Sequence, residues 1–386
     1  MHKTINLLKT NQILYNIYNF TFSFILKIIG IFIKIDNKLV LFNSFGGNKF
    51  DDSPKAIYDY MKSSKKYKQY TLIWALNDPT IVTEKNVNTV KNNTLKFFIT
   101  ALKAKYWITN SSMERGLKFK KKQTIYIDTW HGTAIKHIGK DENNSNIIFR
   151  VSESDYMFSQ SEYDRKIFSK CFEYPKEKIL LTGLPRNDEL CNVNKEEIEK
   201  IKKKLGLPMD KKIILYAPTY REYNRDSNGC VLAPPVNLKK WKEKLENKYI
   251  LLFRAHYEVK KIMGITEDEF IKDYSNYKCL NDLLKISDIL ISDYSSIMID
   301  YSILERPILN YIYDYEEYSQ KRGLYFDIRE KLPDNCIQNE DELLERIKNI
   351  DYKLEQRKTK KFKNEFVEVC GNASKYIENI IKESRK

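Results

Sequence analysis

Residues 289–300 read Ile289-Leu290-Ile291-Ser292-Asp293-Tyr294-Ser295-Ser296-Ile297-Met298-Ile299-Asp300. The opening apolar run is the pattern of a strand buried on both faces. A polar turn follows, and then a second apolar run that begins behind two serines, which are good N-cap residues. Strand, tight turn and capped helix form the repeating step of a parallel α/β sheet. Ligands of such sheets bind beyond the carboxyl ends of strands. Asp293, Ser295 and Ser296 are therefore candidate ligand residues, with the serines at a helix start suited to phosphate. Asp300, one turn on, could accept hydrogen bonds from ribose hydroxyls. A plainer reading stays open, in which the serines satisfy only their own helix.

The same step recurs outward in both directions. Upstream, strands are expected at Leu39–Asn43, Tyr70–Ala75, Tyr106–Thr109, Thr124–Asp128, Tyr156–Ser159 and Ile179–Thr182, with amphipathic stretches such as Ser53–Lys62 and Leu95–Ala104 between them. A charged helix, Lys195–Leu205, stops at Gly206-Leu207-Pro208. A second series then starts, with strands at Ile213–Ala217, Tyr249–Arg254, Ile289–Ser292 and Ile308–Tyr311. Helices at Leu238–Glu246, Leu280–Lys285 and Ser296–Leu304 connect these strands, and 341–386 reads as helix throughout. The expected division is 1–36, a hydrophobic membrane-association segment; 37–206 and 207–340, two α/β domains; and 341–386, C-terminal helices. At 386 residues the chain has length for two cores, and with Gly 12 and Pro 10 it signals no long flexible linker.

Near the start, Ile13–Ile35 is almost wholly apolar, broken by Asn16, Asn19 and Lys27. No small-residue cleavage site follows it. Recurrent aromatic and basic residues favour a helix lying in a membrane interface over a full span; a buried core helix is the third option. The net charge of +15 suits an anionic partner, such as lipid headgroups or a phosphate-rich substrate. No DNA- or RNA-binding signature accompanies it, so no nucleic acid is expected. The 6 cysteines are dispersed without paired spacing, so neither a disulfide nor a zinc site is expected, and a reducing setting fits best.

Three more strand ends carry unusual polar residues. After Thr124–Asp128 comes Thr129-Trp130-His131-Gly132-Thr133, where His131 is a candidate general base and Gly132 allows close backbone approach. A histidine that only holds the loop is the alternative, and Lys136 nearby adds charge. After Ile213–Ala217 stands Arg221, whose fork fits a phosphate and equally fits a surface. Arg254 and His256, two apart at a third strand end, face one side if the extended backbone persists, and could neutralise a pyrophosphate. No glycine-rich nucleotide fingerprint is present and no paired acidic motif suggests a metal.

Six segments in order resemble the CDP-glycerol glycerophosphotransferase family, the teichoic acid primases and polymerases. They are Asn43-Ser44-Phe45-Gly46-Gly47 with Asp52-Ser53-Pro54-Lys55-Ala56; Thr129 to Lys136 with Gly139; Gly183-Leu184-Pro185-Arg186-Asn187-Asp188; Tyr216 to Arg221; Ser292 to Asp300; and Arg306-Pro307 with Tyr313-Asp314. Ala134 stands where Pro is usual and Tyr220 where Trp is common, which leaves the branch of the family open. The resemblance implies a GT-B-like fold, two Rossmann-type domains facing across a cleft, with peripheral attachment at the cytoplasmic face of the cell membrane. It implies an acceptor hydroxyl attacking the β-phosphorus of CDP-glycerol, or of CDP-ribitol, and expelling CMP without a cofactor. The acceptor would be a lipid-linked teichoic acid. His131 would be the base; His256 and Arg254 would stabilise the pyrophosphate; Arg221, Ser295 and Ser296 would hold donor phosphate. Arg186, Asp188, Asp293 and Lys136 are further candidates, and Arg186 and Asp188 could instead shape a loop. A GT-B nucleotide-sugar glycosyltransferase is the alternative enzyme.

Overall fold

Short apolar strands buried on both faces pair only in parallel here, and they make two sheets. The computed structural model describes residues 12–114, 116–142, 153–221, 233–333 and 336–385. The first sheet contains β1 (Asp36–Asn43), β2 (Thr71–Leu76), β3 (Asn88–Lys91), β4 (Ala104–Thr109), β5 (Ile125–Asp128), β6 (Tyr156–Ser159) and β7 (Ile179–Leu181), in the order β3-β2-β1-β4-β5-β6-β7. The second contains β8 (Lys212–Tyr216), β9 (Tyr249–Phe253), β10 (Ile271–Asp273), β11 (Ile289–Ser292) and β12 (Ile308–Asn310), in the order β10-β9-β8-β11-β12. Strand order reverses between β1 and β4 and again between β8 and β11. Those two switch points are where a doubly wound sheet opens a crevice at its strand ends. They select the loops after β1 and β4 in the first half, with the β5 loop next to them, and those after β8 and β11 in the second.

The expected strands are found within one to three residues, except that β3 and β10 were not anticipated. Both are edge strands, and Asn-Thr-Val-Lys and Ile-Lys-Asp lack the apolar run that marks a central strand. The tail departs from the expected continuous helix. It forms Glu340–Lys348, Tyr352–Phe366 and Ile377–Glu383, interrupted where Gly371 takes φ +95°. The last helix crosses back to the first sheet, where Ile377, Ile380 and Ile381 join a core with Val40, Phe42 and Ile108.

Cys191 and Cys370 are paired as a disulfide across 179 residues of sequence, against the expectation of none. Spacing along the chain could not show it, because the pair forms only where the returning tail meets the loop after β7.

The helix Gln12–Phe32 is inverted relative to a soluble amphipathic helix. Its protein-facing stripe is Asn19, Ser23, Leu26 and Gly30, mostly polar or small, and is buried. Its outward face carries Ile17, Phe20, Phe24, Ile28 and Ile31, with Phe20 76% and Ile31 78% exposed. That removes the core-helix option, since a core helix would turn the large apolar side chains inward. By length and composition Leu14–Phe32 could also cross a membrane.

Candidate functional site

The loop after β5 is built to hold one imidazole. Trp130 takes φ +51°, a left-handed conformation that costs energy for a residue with a side chain. This turn stacks the Trp130 ring on His131, with centroids 4.2 Å apart, while Phe45 lies 5.5 Å away on another side. His131 Nδ1 is 2.7 Å from the carbonyl oxygen of Asn110, at the end of β4. A carbonyl can only accept, so Nδ1 carries the proton and Nε2 keeps its lone pair. Burial lowers the His131 pKa, opposed in part by the Asn110 contact and by Asp52. The ring is thus neutral near pH 7, in the tautomer a general base requires.

Arg186 ties this loop to the second half. Its Nη1 donates to Asp52 Oδ2 (2.8 Å) and to the carbonyl of His131 (2.8 Å), and its Nη2 donates to Asp300 Oδ2 (2.7 Å). Asn187 Nδ2 donates to the other oxygen of Asp300 at 2.7 Å. Burial works against the charge on Arg186, but Asp300 and Asp52 outweigh it and hold its pKa above the usual arginine value. Asp52 itself takes φ +64° to reach the guanidinium. Gly132 is required beside this cluster. A Cβ there would come within 2.8 Å of Ser296 Oγ and 3.1 Å of Arg186 Nη2, at a φ of +143°. Asp300, expected at a ribose, therefore has both oxygens engaged by protein and is buried.

Behind His131, Asp164 secures the loop's far end. Its Oδ2 accepts from Thr133 Oγ1 (3.1 Å) and from the amide of Gln160 (3.3 Å), and Gln160 Nε2 donates to Thr133 Oγ1. Full burial pushes the Asp164 pKa up to about 7. A carboxyl raised in the fold contributes stability that is present below its unfolded value of about 4 and is lost as pH rises through about 7. Over that window the slope from this group is about 1.4 kcal/mol per pH unit. Asp164→Asn keeps an acceptor and cannot ionise. Its melting temperature relative to the parent should rise steadily between pH 5 and pH 7.5; an unchanged difference would mean Asp164 does not titrate in that range.

Two candidates at the switch point of the second sheet turn out to be partners of one another. Arg221 is 2% exposed and donates through Nη1 to Asp293 Oδ2 (2.6 Å), and through Nε and Nη2 to the two oxygens of Asp314 (2.8 and 2.9 Å). Tyr294, Tyr313 and Tyr318 present rings about its guanidinium at 4.9 to 5.2 Å. Asp293 also accepts from the amide and hydroxyl of Thr219. Arg221, expected at a donor phosphate, has its fork occupied here by two carboxylates.

Arg254 is the contrasting case. Its Nη1 meets only the carbonyls of Tyr274 (3.0 Å) and Tyr277 (2.7 Å), and among the described residues it forms no ion pair. Burial lowers its pKa, and the first charge that offsets this is Asp51, on the β1 loop of the first half. His256 is exposed and stacks on Tyr220 at 4.3 Å. Ser295 Oγ accepts from the amide of Ile297 (3.3 Å), so it caps its own helix, while Ser296 makes no capping bond and meets Gly132. That helix, Ile297–Ser302, is only 6 residues long. Asp188 accepts from the amides of Ala373 (2.9 Å) and Ser374 (2.7 Å), fastening the tail. Lys136 bridges to Leu324.

Residues 25–383 match the CDP-Glycerol:Poly(glycerophosphate) glycerophosphotransferase family. The chain belongs to that family. A teichoic acid poly(glycerol phosphate) polymerase of Bacillus spizizenii is 34% identical over 97% of this chain and 98% of its own length. A teichoic acid glycerol-phosphate transferase of Staphylococcus aureus is 35% identical over 82% of this chain and 85% of its own. Among solved structures, a histidine-to-asparagine variant of the wall teichoic acid polymerase TagF, soaked with CDPG, has a TM-score of 0.82 at 34% identity, covering 91% of this chain and 90% of that one. Relatives named for ribitol phosphate match smaller parts of the chain.

In this glycerophosphotransferase Asp52, Asn110 and Asn187 also belong to the arrangement around His131 and Arg186, and their own sequence context does not single them out. A usable signal was the strand end itself: Asn110 directly follows β4, at the switch point of the first sheet.

Proposed function

We propose that the chain transfers glycerol phosphate from CDP-glycerol to a hydroxyl of a membrane-linked teichoic acid primer or chain, releasing CMP. The family match across residues 25–383 carries this reading. In the reaction the acceptor oxygen forms a bond to the β-phosphorus, the bridging P–O bond breaks with its electrons leaving on CMP, and the acceptor proton passes to Nε2 of His131. Phosphoryl transfer depends on positioning and charge neutralisation. Arg254 is the cation for the pyrophosphate, since its buried charge has no carboxylate of its own, with His256 alongside. Ser296 offers a hydroxyl between the His131 loop and the second half; Ser295 contributes through the turn it caps, and Lys136 adds charge near that loop.

In this reading 37–206 and 207–340 are two Rossmann-type domains facing across a cleft, the first taking the acceptor and the second the CDP donor. Arg186, Asp52 and Asp300 hold the two in register. The outward apolar face of Gln12–Phe32 supports attachment in the interface at the cytoplasmic face of the membrane.

Radiolabelled CDP-glycerol and CDP-ribitol, each offered with a lipid-linked acceptor, test the proposal. CDP-glycerol should yield labelled polymer and CMP in equal amounts, with CDP-ribitol far slower. Release of CMP from neither donor would end the transferase reading, and a faster ribitol reaction would change its donor.

A further inference from the structure

Where the helix Gln12–Phe32 ends, it meets the first half over a hollow of about 700 Å³ that the chemistry above does not use. Lys27, Lys34, Lys105, Lys120, Lys121 and Lys122 line it, together with Leu102 and Phe119, and no acidic residue does. Lys120 is held by Asp155 at 3.0 Å. The other five have no carboxylate partner among the described residues. Lys105 meets only the carbonyl of Gln123 and Lys121 only that of Ile33. Burial lowers the Lys121 pKa, as expected for an ammonium with no countercharge. Gly30 permits this closeness, since a Cβ there would lie 3.4 Å from Lys121 Cε and 3.1 Å from Leu102.

Five lysines without a carboxylate partner around one concavity repel one another and make it attractive to an anion. The place of the hollow identifies the anion. Ile31 lines it and is also 78% exposed on the outward apolar face of the helix. Once that face enters the hydrocarbon boundary, the hollow opens at headgroup depth. We propose that this lysine-lined hollow binds the phosphate headgroup of an anionic glycerophospholipid, fixing the rotation of the helix and the distance of the first half from the membrane. It rests on the reading of Gln12–Phe32 as an interfacial helix.

Sedimentation of the full-length protein with two kinds of vesicle separates the two ideas. Pure phosphatidylcholine vesicles report the apolar face; vesicles containing phosphatidylglycerol add the headgroup. The combined Lys27→Gln, Lys34→Gln, Lys121→Gln and Lys122→Gln variant should lose at least about tenfold in affinity for phosphatidylglycerol vesicles. Its binding to phosphatidylcholine should be kept, which also reports an intact fold. Arginine at the same four positions should retain the preference. Neutralising the exposed Lys195, Lys200, Lys203 and Lys239 instead should leave it unchanged. Wild-type affinity in the four-glutamine variant, or an equal loss in the distant control, would overturn the hollow as the site. Replacing Phe20, Phe24 and Ile31 by serine should abolish binding to phosphatidylcholine; if it did not, the helix reading itself would fail.

Discussion

Replacing His131 by alanine should lower CMP release from CDP-glycerol by about 10²–10⁴-fold, the usual loss when a positioned general base is removed. Donor binding, read by competition or calorimetry, should stay close to that of the parent, because the imidazole is proposed to act on the acceptor proton. The Asn110 carbonyl fixes the proton on Nδ1, which leaves Nε2 free to accept. Burial keeps the ring neutral. Trp130 and Phe45 restrict its rotation. The pH profile follows from the same burial. For the parent enzyme the acid limb of kcat/KM should lie below the ordinary imidazole value of about 6.5. The stability term runs the same way: a depressed folded pKa contributes stability above the unfolded value, and loses it as pH falls through the folded one. Rates on the acid limb should therefore be taken beside a melting curve at each pH. An unchanged turnover in His131→Ala would remove the base from the mechanism.

The fold was readable wherever a strand is central and buried on both sides. Ile289–Ser292 and Tyr156–Ser159 are found at the expected bounds because continuous apolar runs flanked by turns have no other stable home. The edge strands escaped, since β3 and β10 gain their conformation from a neighbour and show little in their own residues. The site was legible in part. His131 stood out as a histidine at a strand end before a glycine, and the structure gives it a defined tautomer. Arg186 looked like a loop former because its partners lie 134 and 114 residues away, on Asp52 and Asp300. Position along a strand tells which residues reach the crevice. It does not tell which of them are already bound to one another there.

Arg221 shows that distinction most sharply, and it leads to the largest stability effect expected of the chain. A phosphate ligand, when removed, weakens donor binding and leaves the fold alone. Arg221 instead bridges Asp293 and Asp314, whose side chains are 2% and 9% exposed. Burial disfavours its charge, yet the two carboxylates more than offset this and hold its pKa above the ordinary arginine value. Arg221→Gln would leave both carboxylates in the interior with one weak neutral donor between them. Breaking a buried pair in this way costs about 3–5 kcal/mol, and the same change strips a cation from beneath three tyrosine rings. Arg221→Lys should recover only part of the loss, because one ammonium cannot serve Asp293 and grip both oxygens of Asp314 at once. Urea denaturation at pH 8 reads the outcome, and the glutamine variant should be much less stable than the parent there. Below its melting transition its KM for CDP-glycerol should be little altered. A normal denaturation midpoint with a raised donor KM would return Arg221 to the phosphate and require Asp293 and Asp314 to be satisfied without it.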